Sequence, residues 1–279
     1  MKKYWQFIRE SRDAEIHNIC KWYDIENYII NEDGSIDVNG DVDLNERGLA
    51  KLPVTFREVM GDFWCFENNL TSLEGCPKTV GGSFDCTDNE LISLEGCPET
   101  VGGGFYCSHN KLTSLEGCPE RVSGDFKCSL NNITSLEGSP KTVGGDFDCH
   151  ANNLTSLKGC PERVGGNFEC ARNNLTTLEG CPERVSGDFG CSRNNLTTLE
   201  GFPLYFDTDK TVSTKCNPIH EIYTLFDDPK AIELMNDYGL VDTDSMEVSY
   251  TILQEIFEEL GKTPPPFEDI RLRNYTLVE

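Results

Sequence analysis

Cysteine is the residue whose number and spacing most readily suggest chemistry in this chain. The 279 residues include fourteen cysteines. Seven of them recur every 21 residues in one row: Cys65, Cys86, Cys107, Cys128, Cys149, Cys170 and Cys191. Five form a second row, in which Ser139 takes the place of one member: Cys76, Cys97, Cys118, Cys160 and Cys181. Disulfides, a metal site or buried thiols are the three interpretations to weigh.

Buried thiols fit these rows best. A disulfide framework requires an oxidising compartment, and the charged residues of segment 9–13 interrupt any apolar export leader, so we expect a cytoplasmic location. Zinc favours closely spaced cysteine pairs, whereas the two rows alternate at spacings of 10 and 11 residues. Cysteine can also act as a small core hydrophobe. We therefore predict no metal ion and no cofactor.

Histidine and carboxylate groups give no clear catalytic constellation. Cys149 and His150 are adjacent, but neighbouring side chains on a strand point to opposite faces. The 48 acidic residues exceed the 24 basic ones, which gives a net charge of −24 and singles out no carboxylate pair. Acidic steps such as Asp146 and Asp148 leave weak calcium binding open as an alternative. We predict a protein that is not an enzyme, with activity in the C-terminal segment as the least favoured alternative.

The net charge also bears on the class of partner. Binding to nucleic acid depends on clustered Lys and Arg that displace counterions, and an anionic membrane surface repels an acidic chain. We therefore predict neither a nucleic-acid partner nor a membrane partner. No apolar run of the sequence reaches the length that a membrane-spanning helix needs.

The elements that position these residues come from a 21-residue repeat. Its unit is G-x-F-x-C-x-x-N-x-L-x-x-L-E-G-C-P-x-x-V-x, present in seven copies from Gly61 to Asp207 and in a weaker copy over 40–60. Phe-x-Cys alternates as a short strand does, so both side chains should face a core. The Asn that follows can satisfy backbone groups at the turn, and Gly-Cys-Pro marks the return. One unit cannot bury its apolar side alone, so the units must stack.

The run F-x-C-x-x-N-x-L-x-x-L resembles the leucine-rich repeat signature, with Phe and Cys in the strand leucine positions. The short unit with Pro is similar to bacterial-type repeats, and segment 68–84 also resembles leucine-rich repeat proteins predicted in tailed-phage genomes. This resemblance implies a solenoid with a parallel concave sheet and an irregular convex side. It further implies a phage origin, and so the cytoplasm of a bacterial host.

Caps should close both ends of such a stack, because end strands expose apolar surface and unpaired edges. We divide the chain into an N-terminal helical cap (1–35), the solenoid (36–207) and a C-terminal helical cap or small domain with a tail (208–279). Helical spacing predicts a helix over 12–29. In the C-terminal segment we expect helices over 218–227, 229–238 and 244–260, with a tail from Pro264.

Binding residues should lie on the outer side of the predicted strands. There the residue types differ between units, and we expect aromatic side chains ringed by charge to form a protein-binding site, as in many interfaces. The candidate residues are Trp64, Phe66, Glu67, Asp85, Asp88, Tyr106 and His109. The sequence therefore predicts a non-catalytic scaffold that recognises a basic host protein and modulates it. Two alternatives remain open: a cap that covers the aromatic residues, and a structural or assembly component of a virion.

Overall fold

The repeat units stack as a solenoid with two parallel sheets. The computed structural model describes the backbone of residues 2–279 and the side chains from Gln6 onward. Each 21-residue unit contributes one strand to each sheet, and neighbouring units pair in register. The predicted solenoid with parallel sheets is confirmed.

The sheet that we call the Phe-Cys sheet has nine strands among the described residues, and each begins at the repeat phenylalanine or its equivalent. In chain order they are β3 (Val42–Asp43), β5 (Phe63–Trp64), β7 (Phe84–Asp85), β9 (Phe105–Tyr106), β11 (Phe126–Lys127), β13 (Phe147–Asp148), β15 (Phe168–Glu169), β17 (Phe189–Gly190) and β19 (Val212–Ser213).

The other sheet, which we call the return sheet, has ten strands in the described chain. They are β1 (Tyr28–Ile30), β2 (Ile36–Val38), β4 (Phe56–Val59), β6 (Thr79–Val80), β8 (Thr100–Val101), β10 (Arg121–Val122), β12 (Thr142–Val143), β14 (Arg163–Val164), β16 (Arg184–Val185) and β18 (Tyr205–Phe206). The return side is thus more regular than expected. Its repeated valine is buried in every unit, so the stacked segments keep one register and pair.

Phenylalanine rings form the centre of the core. From Phe63 to Phe189, rings of successive units lie 5.2–5.8 Å apart between centroids and are fully buried. An edge-on ring closes each end of this stack: Phe56 against Phe63, and Phe202 against Phe189, both with centroids 5.0 Å apart. The strand cysteines are also fully buried, which confirms the predicted inward phase.

The repeat asparagines form a buried ladder along the stack. The Asn131 amide donates to the carbonyls of Cys107 and Cys128 at 3.0 and 3.1 Å, and its oxygen accepts from Leu112 N–H at 2.9 Å. The same pattern runs from Asn68 to Asn217. Each asparagine therefore joins adjacent units at the end of a strand, where the turning backbone leaves groups without sheet partners.

The N-terminal cap differs from the predicted helix over 12–29. Helix α1 spans Lys2–Trp22, so it begins earlier and ends earlier than expected. Asp24 adopts a left-handed backbone with φ of 56°, which ends the helical path. Strand β1 then pairs antiparallel with β2, and Ile25 and Ile16 are buried under this hairpin.

The C-terminal segment contains three helices: α2 (His220–Phe226), α3 (Lys230–Asp237) and α4 (Tyr250–Glu259). The prediction of a helix from Asp244 was wrong. Ser249 is the N-cap, with its hydroxyl accepting from Ile252 N–H, and strands β20 (Val241–Asp242) and β21 (Glu247–Ser249) precede it. Val248 is fully buried in this small sheet, which explains why the segment is extended.

The residues after Pro264 are also ordered against the rest of the molecule. They form a 3-10 turn, η1 (Phe267–Asp269), and strand β22 (Thr276–Val278), which pairs parallel with β21. Tyr275 is buried, and its hydroxyl donates to the Thr197 carbonyl at 2.8 Å. The expected tail is therefore a strand that ties the C-terminal segment to the solenoid. Among the described residues, no helix is long and apolar enough to cross a membrane.

Candidate functional site

The outer face of the Phe-Cys sheet brings the predicted aromatic residues together. Trp64 and Asp85 are register partners on adjacent strands, and Asp85 and Tyr106 are partners on the next pair. All three side chains are half-buried, whereas the flanking Phe and Cys residues are buried in the core. Trp64 and Tyr106 are two strands apart, or about 10 Å. Phe66 follows β5 and is also half-buried, so the aromatic surface covers two to three units.

Tyr106 lies flat on the sheet because of a neighbouring glycine. A Cβ atom at Gly104, on the same face of the strand, would overlap the Tyr106 ring. On the other side, the Lys127 ammonium lies 5.7 Å from the ring centroid, a cation–π distance. The sequence analysis missed both neighbours. The signal for Gly104 was its position two residues before Tyr106, where most other units have a polar side chain.

The charged candidates Glu67, Asp88 and His109 lie in a second row, at the corner after each strand. All three are exposed and have left-handed backbones, with φ of 50°, 52° and 53°. His109 Nδ1 lies 3.3 Å from the Asp88 carboxylate. The seven predicted residues thus occupy three consecutive units, with the aromatic rings on the sheet and the charged groups along one margin.

The polar row before each phenylalanine is structural, which corrects the expectation that it differs freely. Each side-chain oxygen accepts the backbone N–H of the same position in the next unit, at 2.5–3.1 Å. The accepting residues are Asp41, Asp62, Ser83, Asp125, Asp146, Asn167 and Asp188. Their shared feature is a short side chain with an acceptor oxygen, which the sequence displays. Gly104 interrupts this ladder where Tyr106 covers the sheet.

Burial changes the acidity of two carboxyl groups on this face. The pKa of Asp85 is raised chiefly by burial, although hydrogen bonds from Thr87 lower it in part. The pKa of Glu169 is raised by burial and by the nearby Asp148 carboxylate. A half-buried carboxylate beside aromatic rings holds its charge at a cost, and a cationic group of a partner would relieve that cost.

The thiols and histidines do not form a reactive centre. All fourteen cysteines, which lie within the described residues, carry free thiols. Burial raises the pKa of the strand thiols, which makes them poor nucleophiles. Cys97 donates to the Gly117 carbonyl, and Ser139 donates to the equivalent Gly159 carbonyl, so Ser replaces Cys with the same hydrogen bond.

His150 is paired away from the buried Cys149: its Nδ1 lies 2.7 Å from the Asp148 carboxylate. Asp146 meanwhile accepts a backbone N–H, so both acids proposed for calcium have protein partners. Within residues 2–279, no group of three or more His, Cys, Asp or Glu side chains is arranged to hold a metal ion.

One parallel strand per repeat, an asparagine ladder and inward side chains at the signature positions together define a solenoid of the leucine-rich repeat type. No protein-family model matches the chain, and none of the curated proteins matches it significantly in sequence. Among solved structures, the chain is similar to YopM from Yersinia enterocolitica WA-314, with a TM-score of 0.33 and 18% sequence identity. The match covers 63% of this chain and 56% of that chain, so it spans just over half of YopM.

Proposed function

We propose that this chain is a non-catalytic scaffold that binds another protein through the outer face of the Phe-Cys sheet. The observation that carries the proposal is the row Trp64–Asp85–Tyr106, in which two large rings flank a half-buried carboxylate on a rigid sheet. Rings held by a framework lose little conformational entropy on binding, and aromatic residues are frequent at interface hot spots.

Charge indicates the kind of partner. The chain has a net charge of −24, and Glu67 and Asp88 lie at the margin of the aromatic surface. A partner with a basic patch around an apolar ridge would be steered to this face, since complementary potentials raise association rates. The phage-type motif leads us to propose a bacterial host protein as this partner and modulation of that protein as the consequence.

The test is affinity capture from bacterial lysate at moderate salt, followed by mass spectrometry. The wild-type chain should enrich one basic protein, and the variant Trp64→Ala/Tyr106→Ala should lose that protein while keeping the wild-type melting temperature. Both side chains are half-buried on the outer face, so removing them leaves the core intact.

A matched control is Arg172→Ala/Arg193→Ala, which changes two exposed residues on later units of the same solenoid. This control should capture the same protein as wild type. Equal capture by the folded aromatic variant would refute the proposed site. Enrichment of the chain itself alone would support an assembly role instead.

A further inference from the structure

The return sheet ends at an edge that has no partner strand in the described chain. Strand β18 is last in the sheet order, and it pairs on one side only, with β16. Backbone N–H groups in this sheet point toward the preceding unit: Tyr205 N–H donates to the Glu183 carbonyl at 3.0 Å. The equivalent carbonyl of the last unit belongs to Leu204. It therefore faces the end of the stack, where a strand that brings N–H donors could pair with it.

Apolar side chains surround this edge. Leu204 is 80% exposed and Tyr205 is 61% exposed. Beside them, a groove of about 350 Å³ runs between β18 and helix α3, and its apolar lining comes from Phe202, Leu204, Phe206, Pro229 and Ile232. Exposed edges with apolar side chains are uncommon in monomeric proteins, which usually block them with charge, Pro or a covering segment.

The rim of the groove is acidic. Glu200, Glu233 and Asp237 line it, against one cation, Lys230. An incoming segment with Lys or Arg would meet complementary charge at this rim. A second copy of the chain is disfavoured as the occupant, because two chains of charge −24 repel each other.

We propose that the β18 edge binds an extended basic peptide segment of a partner protein by strand addition. The peptide backbone donates to the Leu204 carbonyl, one apolar side chain enters the groove, and the cationic side chains lie at Glu233 and Asp237. Main-chain hydrogen bonds provide affinity in this mode, and alternate side chains provide selectivity. This site is separate from the aromatic face and goes beyond the function proposed above.

The experiment uses the full chain and a fluorescein-labelled peptide, acetyl-Lys-Val-Lys-Leu-Lys-Val-Lys-amide, with binding followed by fluorescence anisotropy. The test variant is Leu204→Lys, which places a cation on the edge and should fold normally because Leu204 is largely exposed. The matched control is Ile92→Lys, which makes the same charge change at a residue that is 66% exposed in an earlier unit. Wild type and the control should bind equally, and Leu204→Lys should bind at least 10-fold more weakly.

A second peptide separates strand addition from charge attraction alone. The same sequence with N-methyl groups on alternate residues keeps its charges but lacks the N–H donors that face the edge. We expect it to bind at least 10-fold more weakly than the first peptide. The proposal is overturned if wild type does not bind the first peptide, if Leu204→Lys binds as the control does, or if N-methylation has no effect. It is also overturned if wild type dimerises and Leu204→Lys is monomeric, since the edge would then join two copies.

Discussion

Asp85 has aromatic residues on both adjacent strands, Trp64 and Tyr106, and this position determines how its carboxylate behaves. Burial raises its pKa, and the neighbouring Asp88 charge adds to the shift, while Thr87 N–H donates to the carboxylate at 2.9 Å and opposes it. The folded chain thus keeps a charged group in a place where solvation is poor. Such a group is tolerated at a site that receives a cation on binding.

Asp85→Asn should reveal this cost through the pH dependence of stability. The raised pKa means that the folded state holds the Asp85 proton more tightly than the unfolded chain does. Its contribution to the free energy of unfolding therefore falls as the pH rises from the ordinary Asp value of about 3.9 through the raised folded value. The amide cannot ionise, but its oxygen can still accept from Thr87. Denaturant unfolding at pH 3–7 should show the variant gaining stability relative to wild type toward neutral pH.

The control for this comparison is Asp43→Asn. Asp43 occupies the same outer row and accepts from Asn45 N–H in the same kind of turn, but its side chain is exposed. This variant should change the free energy of unfolding little over the range. If Asp85→Asn is no more stable than wild type at pH 7, the Asp85 carboxylate is better solvated than its burial indicates.

At the scale of elements, the asparagine ladder replaces sheet hydrogen bonds where the strands end. Asn131→Ala would remove one acceptor and two donor contacts among buried backbone groups. We expect a loss of about 2–4 kcal/mol in the free energy of unfolding, because the groups left behind stay buried without partners. The adjacent Asn132 is exposed, so Asn132→Ala should change stability by less than about 0.5 kcal/mol. Equal losses in the two variants would show that the ladder contributes little.

The phenylalanine stack is the second element with a separable contribution. Phe126 lies between Phe105 and Phe147, with ring centroids 5.5 Å away on both sides. Phe126→Ala should cost about 3–5 kcal/mol, since it leaves a cavity in the middle of the core. Lys127→Ala, at the next residue and on the outer face, should stay within about 0.5 kcal/mol of wild type. Near-neutral unfolding of Phe126→Ala in guanidinium would contradict the inward phase.

The repeat made much of this predictable from sequence. A period of 21 residues shows which side chains recur, and Phe, Cys, Leu and Val at fixed phases could only point into a shared core. The return strands were harder to predict, because each is only two residues long and two residues show no alternation. The pairing also continues with two inserted residues, so Val212, and not Lys210, lies beside Phe189.

The caps were predicted less well because they do not repeat. Helical spacing continues through Ile25 in α1, yet the left-handed Asp24 ends the helix, and nothing in a single copy of the sequence indicates that turn. Asp244 suits an N-cap by composition, but burial of Val248 makes the segment a strand. Tertiary contacts decided both cases over local preference.

At the scale of the whole molecule, the solenoid separates stability from surface. Residues that face the core or close the two hydrogen-bond ladders are fixed by their contacts, while the outer row of the Phe-Cys sheet contains Trp64, Tyr106, Lys127 and Glu169 in equivalent places. The sequence placed the candidate residues on this face correctly. It could not show that the preceding acidic row is engaged with the backbone, since that depends on the distance between units.

Hydroxyl-radical footprinting of the chain with its captured partner tests the central claim most directly. Side chains that the partner covers lose reactivity, and mass spectrometry reads each residue separately. Binding through the outer face predicts protection of Trp64, Phe66 and Tyr106, with Ile92 and Tyr205 as reactive as in the free chain. Unchanged reactivity of Trp64 and Tyr106 in the complex would contradict a binding site on this face.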